Sequence, residues 1–148
     1  MLIDTIITVP IKQDANGLLF QYDAGRSKWV SAARNIATFS RNHRNLSNDQ
    51  WLRYADIASV QQGYMVRRNA VITSVACRCT IAADCSFVIR RNDNPADLTS
   101  IGLSSEVSKV VDGLDIEVNA GDWLQVLLQV SSGNVDYPIV TIETAWRE

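Results

Sequence analysis

Gly121-Asp122-Trp123-Leu124-Gln125-Val126-Leu127-Leu128-Gln129-Val130 alternates with period two across residues 122–130. Leu124, Val126, Leu128 and Val130 point one way and Trp123, Gln125, Leu127 and Gln129 the other, the pattern of a strand with one face on a core. The same alternation recurs from residue 70 onward. Val71, Thr73, Val75, Cys77 and Cys79 share one face of a strand, and Ile72, Ser74, Ala76 and Arg78 share the other. Phe87 and Ile89 follow on the next strand, and Val140, Ile142 and Thr144 on the last, over residues 137–147. Helical periodicity is almost absent, so the chain reads as all-β.

Turn residues punctuate these runs at Arg91-Asn92-Asp93-Asn94-Pro95, Asn119-Ala120-Gly121-Asp122 and Ser131-Ser132-Gly133-Asn134. Asp112-Gly113 predicts a hairpin joining residues 107–111 to 114–118, because primed turns need positive φ at both central positions. Upstream, residues 18–22, 28–31 and 36–40 predict strands, with Asp23-Ala24-Gly25-Arg26 turning between the first two. Short strands at this spacing indicate a sandwich or barrel. Residues 1–17 carry the apolar positions Leu2, Ile3, Ile6, Ile7 and Val9 and read as an extended N-terminal arm; residues 18–148 read as one domain.

The 148 residues, 47% hydrophobic and 20% charged, suit a single globular domain. Size scaling removes roughly 68% of the unfolded surface from water, enough for a core without staples. No run approaches the roughly 18 apolar residues of a membrane span, and Met1-Leu2-Ile3-Asp4 lacks the positive start of a secretory signal. Cys77, Cys79 and Cys85 are odd in number and point to a reducing compartment during synthesis.

The net charge of −2 excludes a nucleic-acid binder that works by bulk charge, yet it hides a segregation. Residues 26–91 hold eleven of the fourteen Lys and Arg, ten of the eleven being arginine, against Asp49, Asp56 and Asp84, for a net +8. Residues 1–25 carry −2 and residues 92–148 carry −8. Arginine suits planar, bidentate contacts to carboxylates at interfaces. A basic half therefore faces an acidic half, within one subunit or between copies.

The chemistry-bearing residues form no catalytic pattern. Cys77 and Cys79 share a strand face, with Cys85 following and His43 as the conceivable fourth ligand, but this is not the paired-knuckle spacing of zinc. They read as small buried hydrophobes. His43, between Arg41 and Arg44, reads as a solvated or interface residue, and no nucleophile elbow supports a triad. The pairs Asp112/Asp115 and Asp93/Asp97 read as turn carboxylates, with a calcium loop as the alternative. No catalytic residue, metal or cofactor is expected. Of the four tryptophans, Trp123 lies opposite Leu124 and Val126 and does not share their core. Exposed Trp stacks on sugars or fills pockets at subunit contacts. At least one of Trp51 and Trp123 is expected at a contact with another subunit or a partner, with Arg34, Arg41 and Arg44 as partners for acidic groups on a neighbour.

Several runs resemble the small β-knob domains of tailed-phage virion proteins. The first comprises Leu18-Leu19-Phe20-Gln21-Tyr22-Asp23, Lys28-Trp29-Val30-Ser31, Arg41-Asn42-His43-Arg44-Asn45 and Trp51-Leu52-Arg53. Gly63-Tyr64-Met65-Val66-Arg67-Arg68-Asn69-Ala70-Val71-Ile72 resembles their Gly-Tyr-x-x-Arg-Asn-Ala-x-Ile run, and Phe87-Val88-Ile89-Arg90-Arg91-Asn92 their Phe-x-(Ile/Val)-Arg-(Arg/Lys)-Asn strand. Gly121-Asp122-Trp123-Leu124-Gln125-Val126 and the closing Ala145-Trp146-Arg147 complete the likeness, over about residues 18–147. The Gly-Asp-opened strand is also similar to that of tumour-necrosis-factor-like and complement-type jelly rolls, which are trimers. The resemblance implies a two-sheet antiparallel jelly-roll sandwich, homotrimeric, on the outside of a phage particle. With an arm but no shaft, the expectation is a non-enzymatic decoration (cement) protein that binds the major capsid protein of the assembled shell and stabilises it. The alternative is the receptor-binding knob of a tail fibre recognising host-surface glycan. Neither nucleic acid nor membrane is an expected partner; synthesis is expected in the host cytoplasm.

Overall fold

In the computed structural model, which describes residues 9–148, the inward series Val75, Cys77, Cys79, Ala83, Cys85, Phe87 and Ile89 belongs to one strand, β8 (Ala70–Arg91). The two strands expected before and after residue 80 are thus a single strand of 22 residues. β9 (Thr99–Val118) pairs along one of its edges from Ile89 back to Ala70. Along the other edge, β11 (Ile139–Arg147) takes residues 70–78 and β10 (Trp123–Ser132) takes residues 84–91, both antiparallel.

Each end of β8 therefore founds a leaf. One continues from β11 through β3 (Lys28–Ser40) and β2 (Leu19–Asp23) to β1 (Ile11–Gln13). The other continues from β10 to two short strands on its free edge, β4 (Gln50–Trp51) and β7 (Tyr64–Met65). β5 (Arg53–Tyr54) pairs with β3 at Ser40 and with β6 (Ile57–Ala58). Because β4 lies on β10 and β5 on β3, residues 50–54 tie β10 of one leaf to β3 of the other. The fold is an all-β antiparallel sandwich whose two expected sheets are halves of one eleven-stranded sheet curled over a core. No helix occurs among the described residues.

The core closes because both leaves present inward apolar faces. Ala37 and Phe39 of β3 and Val140 and Ile142 of β11 join Leu124, Val126 and Leu128 of β10 in one buried cluster. Each large side chain so buried contributes about 1.5–3 kcal/mol. Gln125 is also fully buried, although it lies on the opposite face of β10. The segment before β7 covers it, and its amide is satisfied by Asp93 and by the Val60 carbonyl.

Two readings from the pattern are corrected. Thr73 is an extra residue in β8, since Ile72 and Ser74 are paired on both flanking strands and Thr73 on neither. The parity of β8 changes there: Ala70 and Ile72 face the main core before it, and Val75, Cys77 and Cys79 after it. Val71 accordingly packs in a separate cluster with Val30 and Ala145. Asp112-Gly113 makes no hairpin, because β9 runs straight through it. Asp112 faces Ser74 and Ile116 faces Ile72, so residues 113–115 bulge opposite Thr73, with Gly113 left-handed at φ 71°. A positive-φ glycine serves a bulge as readily as a turn, and β8 is long enough to pair both halves.

Paired backbone begins before residue 18, at β1 on β2. Val9 is exposed, while Leu2, Ile3, Ile6 and Ile7 lie outside the described residues.

All three cysteines are free and buried. Burial pushes the Cys77 thiol up to about 11, and its Sγ–H donates to the Lys109 carbonyl at 3.6 Å. A hydrogen bond to Cys85, with burial, raises Cys79 as well. Buried, protonated thiols are inert. Native protein at pH 8 is therefore expected to resist a thiol-labelling reagent and to release all of its cysteines to it only in denaturant; prompt native labelling of Cys77 or Cys79 would contradict this packing.

Candidate functional site

The outer face of the first leaf is set by its register. Ile36, Glu143, Ser74 and Asp112 form one cross-strand row, Thr38, Thr141, Ala76 and Val110 the next, and Ser40, Ile139, Arg78 and Ser108 a third. These alternate with core residues, so they face outward. Ile36 is 63% exposed and Val110 62%, a β-branched surface left open by the described residues.

Three hollows run together from this face. The first, of 230 Å³, lies among Ala76, Arg78, Val110, Ile139 and Thr141. Ile139 also lines the second, of 220 Å³, with Arg41, Asn42 and Tyr137. Arg41 and Asn42 in turn line the third, of 340 Å³, with His43, Arg53 and Asp56. The wall of the third is the β5–β6 turn, where Ala55 and Asp56 both hold left-handed φ, 48° and 66°. The hollows form a tract that is apolar at one end and basic at the other.

Charge explains the basic end. Most cations of the basic middle are met within the chain: Arg26 by Asp23, Lys28 by Asp115 and Glu117, Arg68 by Asp14, Arg90 by Asp97 and Arg91 by Asp122. Arg34 belongs with these, 3.5 Å from Glu143. Among the described residues, no carboxylate oxygen lies within 4.0 Å of Arg41, Arg44, Arg53 or Arg78, although Asp56 lines the same hollow as Arg41 and Arg53. Arg41 donates to the Trp51 carbonyl at 3.5 Å, and Arg44 stands 5.5 Å over the Tyr137 ring. These four guanidiniums, with Arg67 elsewhere on the surface, thus remain available to acidic groups on a partner.

Of the residues singled out in the sequence, the fold brings Arg41 onto this tract and sets Arg44 beside it, over the Tyr137 ring. Trp51 reaches it only through its carbonyl. Trp51 and Trp123 sit on the second leaf, half-buried, with Arg90 5.8 Å over the Trp51 ring and the Trp123 indole N–H buried without a partner among the described residues. Arg53, Arg78, Val110 and Ile139 complete the tract and were not singled out. Their one signal is parity: Ile139, Arg78 and Val110 alternate with inward neighbours.

Three runs singled out in the sequence, Gly63 to Ile72, Phe87 to Asn92 and Gly121 to Val126, meet at one end of the second leaf. Trp123 and Leu124 pair with Met65 and Tyr64, and Leu124 pairs with Arg91. Gly63 is required there, because a Cβ would stand 2.0 Å from the Leu124 carbonyl oxygen. The Asp122 carboxylate accepts from the Asn119 N–H at 2.8 Å, the Asn92 amide at 2.6 Å and Arg91 at 3.3 Å. Asn92 closes the knot by accepting from the Trp123 N–H at 2.8 Å. Burial raises the Asp122 pKa, but these donors outweigh it and hold the carboxyl below its ordinary 3.8.

A depressed carboxyl stabilises the fold fully above its unfolded pKa and loses that contribution as pH falls through its folded one. Asp122→Asn is expected to cost about 1–3 kcal/mol at pH 7. Urea melts of the variant should also lose less stability than wild type between about pH 5 and pH 2. Identical acid limbs in the two proteins would contradict the charged knot.

No family model matches the chain, and no curated protein matches it. Among solved structures, the crystal structure of FlhE is similar at a TM-score of 0.38 and 15% identity, over 79% of this chain and 100% of that one, a likeness too low to bear on function.

Proposed function

We propose that the protein is a non-enzymatic structural protein that decorates the outside of an assembled phage capsid as a homotrimer. The observation that carries this reading is the tract of Arg41, Arg53 and Arg78, with Arg44 beside it over Tyr137, all without carboxylate partners among the described residues and continuous with the exposed apolar rows of Ile36, Val110 and Ile139. Such a surface suits docking onto a partner with apolar centre and acidic rim. The major capsid protein is the proposed partner, and the residues preceding β1, Leu2, Ile3, Ile6, Ile7 and Val9, are the proposed arm on the shell. The phage location itself rests on the sequence resemblance.

A subunit that binds only the assembled shell stabilises it by mass action, in proportion to RT ln(1 + [L]/Kd). Three linked copies raise the effective concentration of the second and third contacts. Arginine contacts made at the rim are screened by salt, so binding should weaken between about 0.05 and 0.5 M NaCl.

Cosedimentation with purified capsids tests the reading. Arg41→Glu/Arg53→Glu should bind at least about tenfold more weakly than wild type, a loss of about 1.4 kcal/mol or more. Sedimentation equilibrium of both proteins should give a trimer. Undiminished binding by the double variant would remove the tract from the contact. A strict monomer, or binding to host cells and not to capsids, would overturn the decoration reading, the latter in favour of a receptor-binding knob.

A further inference from the structure

The basic end of the tract is a hollow rather than a flat face, and its lining mixes signs. Arg53 pairs with Ser40 of β3, so its side chain joins the outward row of Ser40, Ile139 and Arg78, and Arg41 follows Ser40 directly. Both line the hollow of 340 Å³. Arg53 is exposed and Arg41 half-buried. Among the described residues the Arg41 guanidinium makes one hydrogen bond, to the Trp51 carbonyl at 3.5 Å, and that of Arg53 makes none, so both forks keep donors open to the hollow.

Asp56 sets the hollow apart from a simple cationic patch. It is exposed and lines the same hollow, yet its carboxylate lies more than 4.0 Å from both guanidiniums and accepts no hydrogen bond among the described residues. Backbone geometry puts it there. β5 and β6 pair as Arg53 with Ala58 and Tyr54 with Ile57, which leaves a two-residue turn of Ala55 and Asp56, and both hold positive φ, as a primed hairpin turn demands. Asp tolerates that conformation and Ala does not, so the turn carries strain that glycine would relieve. Strain of this kind collects at ligand clamps.

Two open forks with a separate acceptor select among anions. A carboxylate is planar and fits guanidinium forks. A phosphate monoester would bring nearly two negative charges toward Asp56 and present it mainly with acceptors. A bare carboxylate ion would leave Asp56 without a donor. An acidic residue in an exposed loop supplies both parts, the side-chain carboxylate and the backbone N–H groups beside it.

We propose that the hollow seats one acidic residue from a loop of the partner, its carboxylate bound by Arg41 and Arg53 and a neighbouring backbone N–H donated to Asp56. The seat deepens the decoration reading, on which the identity of the partner rests. Arg41 and Arg53 supply attraction, and Asp56 supplies discrimination, since it repels any anion that brings no donor.

NMR titration of the full nitrogen-15-labelled chain with two probes of one carboxylate each tests it. Glutamate blocked as its N-acetyl N-methylamide carries amide N–H groups beside the carboxylate, and butyrate carries none. At millimolar concentration and matched ionic strength, each should move the amide signals of Asp56 and of Asn42, which also lines the hollow, in a saturable way. The blocked glutamate should bind at least about threefold more tightly than butyrate. Arg53→Gln should weaken both probes at least about threefold, whereas Arg67→Gln, which removes an equal charge elsewhere on the surface, should weaken neither. Asp56→Ala should tighten butyrate and abolish the preference for blocked glutamate. Absence of saturable shifts with both probes, equal binding in Arg53→Gln, or an unchanged preference in Asp56→Ala would overturn the proposal. Probe binding by a protein that does not cosediment with capsids would overturn the decoration reading alone, and capsid binding by a protein that ignores both probes would overturn the seat alone.

Discussion

The structure depends on one strand, β8, that is paired on both edges over residues 70–78 and again over residues 85–89, with residues 79–82 between them paired to neither flanking strand. β8 has β9 on one side and, on the other, β11 followed end to end by β10. Its inward residues must therefore serve two leaves with a single alternation. A slip of one residue would turn that set outward in both leaves at once, so the register is held by every buried pair along it. The pairing with β9 breaks at Thr73 and again between Arg78 and Cys85, and the bulge at Thr73 changes which residues face the core. That bulge lets Ile72 and Val75 both reach the main core while Val71 fills a second cluster, and the Thr73 hydroxyl donates to the Glu143 carboxylate at 2.7 Å.

This spine also fixes what the surface offers. Alternation on β3, β11, β8 and β9 produces flat outward rows as an unavoidable counterpart of the inward ones, and the rows here are β-branched as well as polar. The charge segregation resolves in two ways. Lys28 and Arg26 reach across to Asp115 and Glu117 of β9, joining the basic middle to the acidic end inside one subunit. Arg41, Arg44, Arg53 and Arg78 are, like Arg67, spaced away from such partners, and these four give the outer tract its sign.

The all-β class and the inward faces of β10 and β11 were legible because a strand half on a core writes its exposure directly as period two. β8 was half legible: its residue pattern is regular, but the continuity of residues 79–85 depends on β9 spanning the bend, which no local window contains. Gly113 misled for a related reason, since positive φ marks both turns and bulges and only the partner strand decides between them. The two-residue strands β4 to β7 carry no period at all. The tract draws on distant segments, so single positions such as Arg41 were visible while their grouping with Arg53 and Ile139 was not.

A shared spine makes the leaves one cooperative unit, which separates this arrangement from two sheets merely packed face to face. Native-state hydrogen exchange along β8 measures that directly. Amides in residues 71–78 and in residues 85–90 should exchange with the same opening free energy, close to that of global unfolding, and respond in parallel to denaturant. Independent opening of one half, with a lower free energy and a smaller denaturant dependence, would contradict the single spine on which both leaves rest.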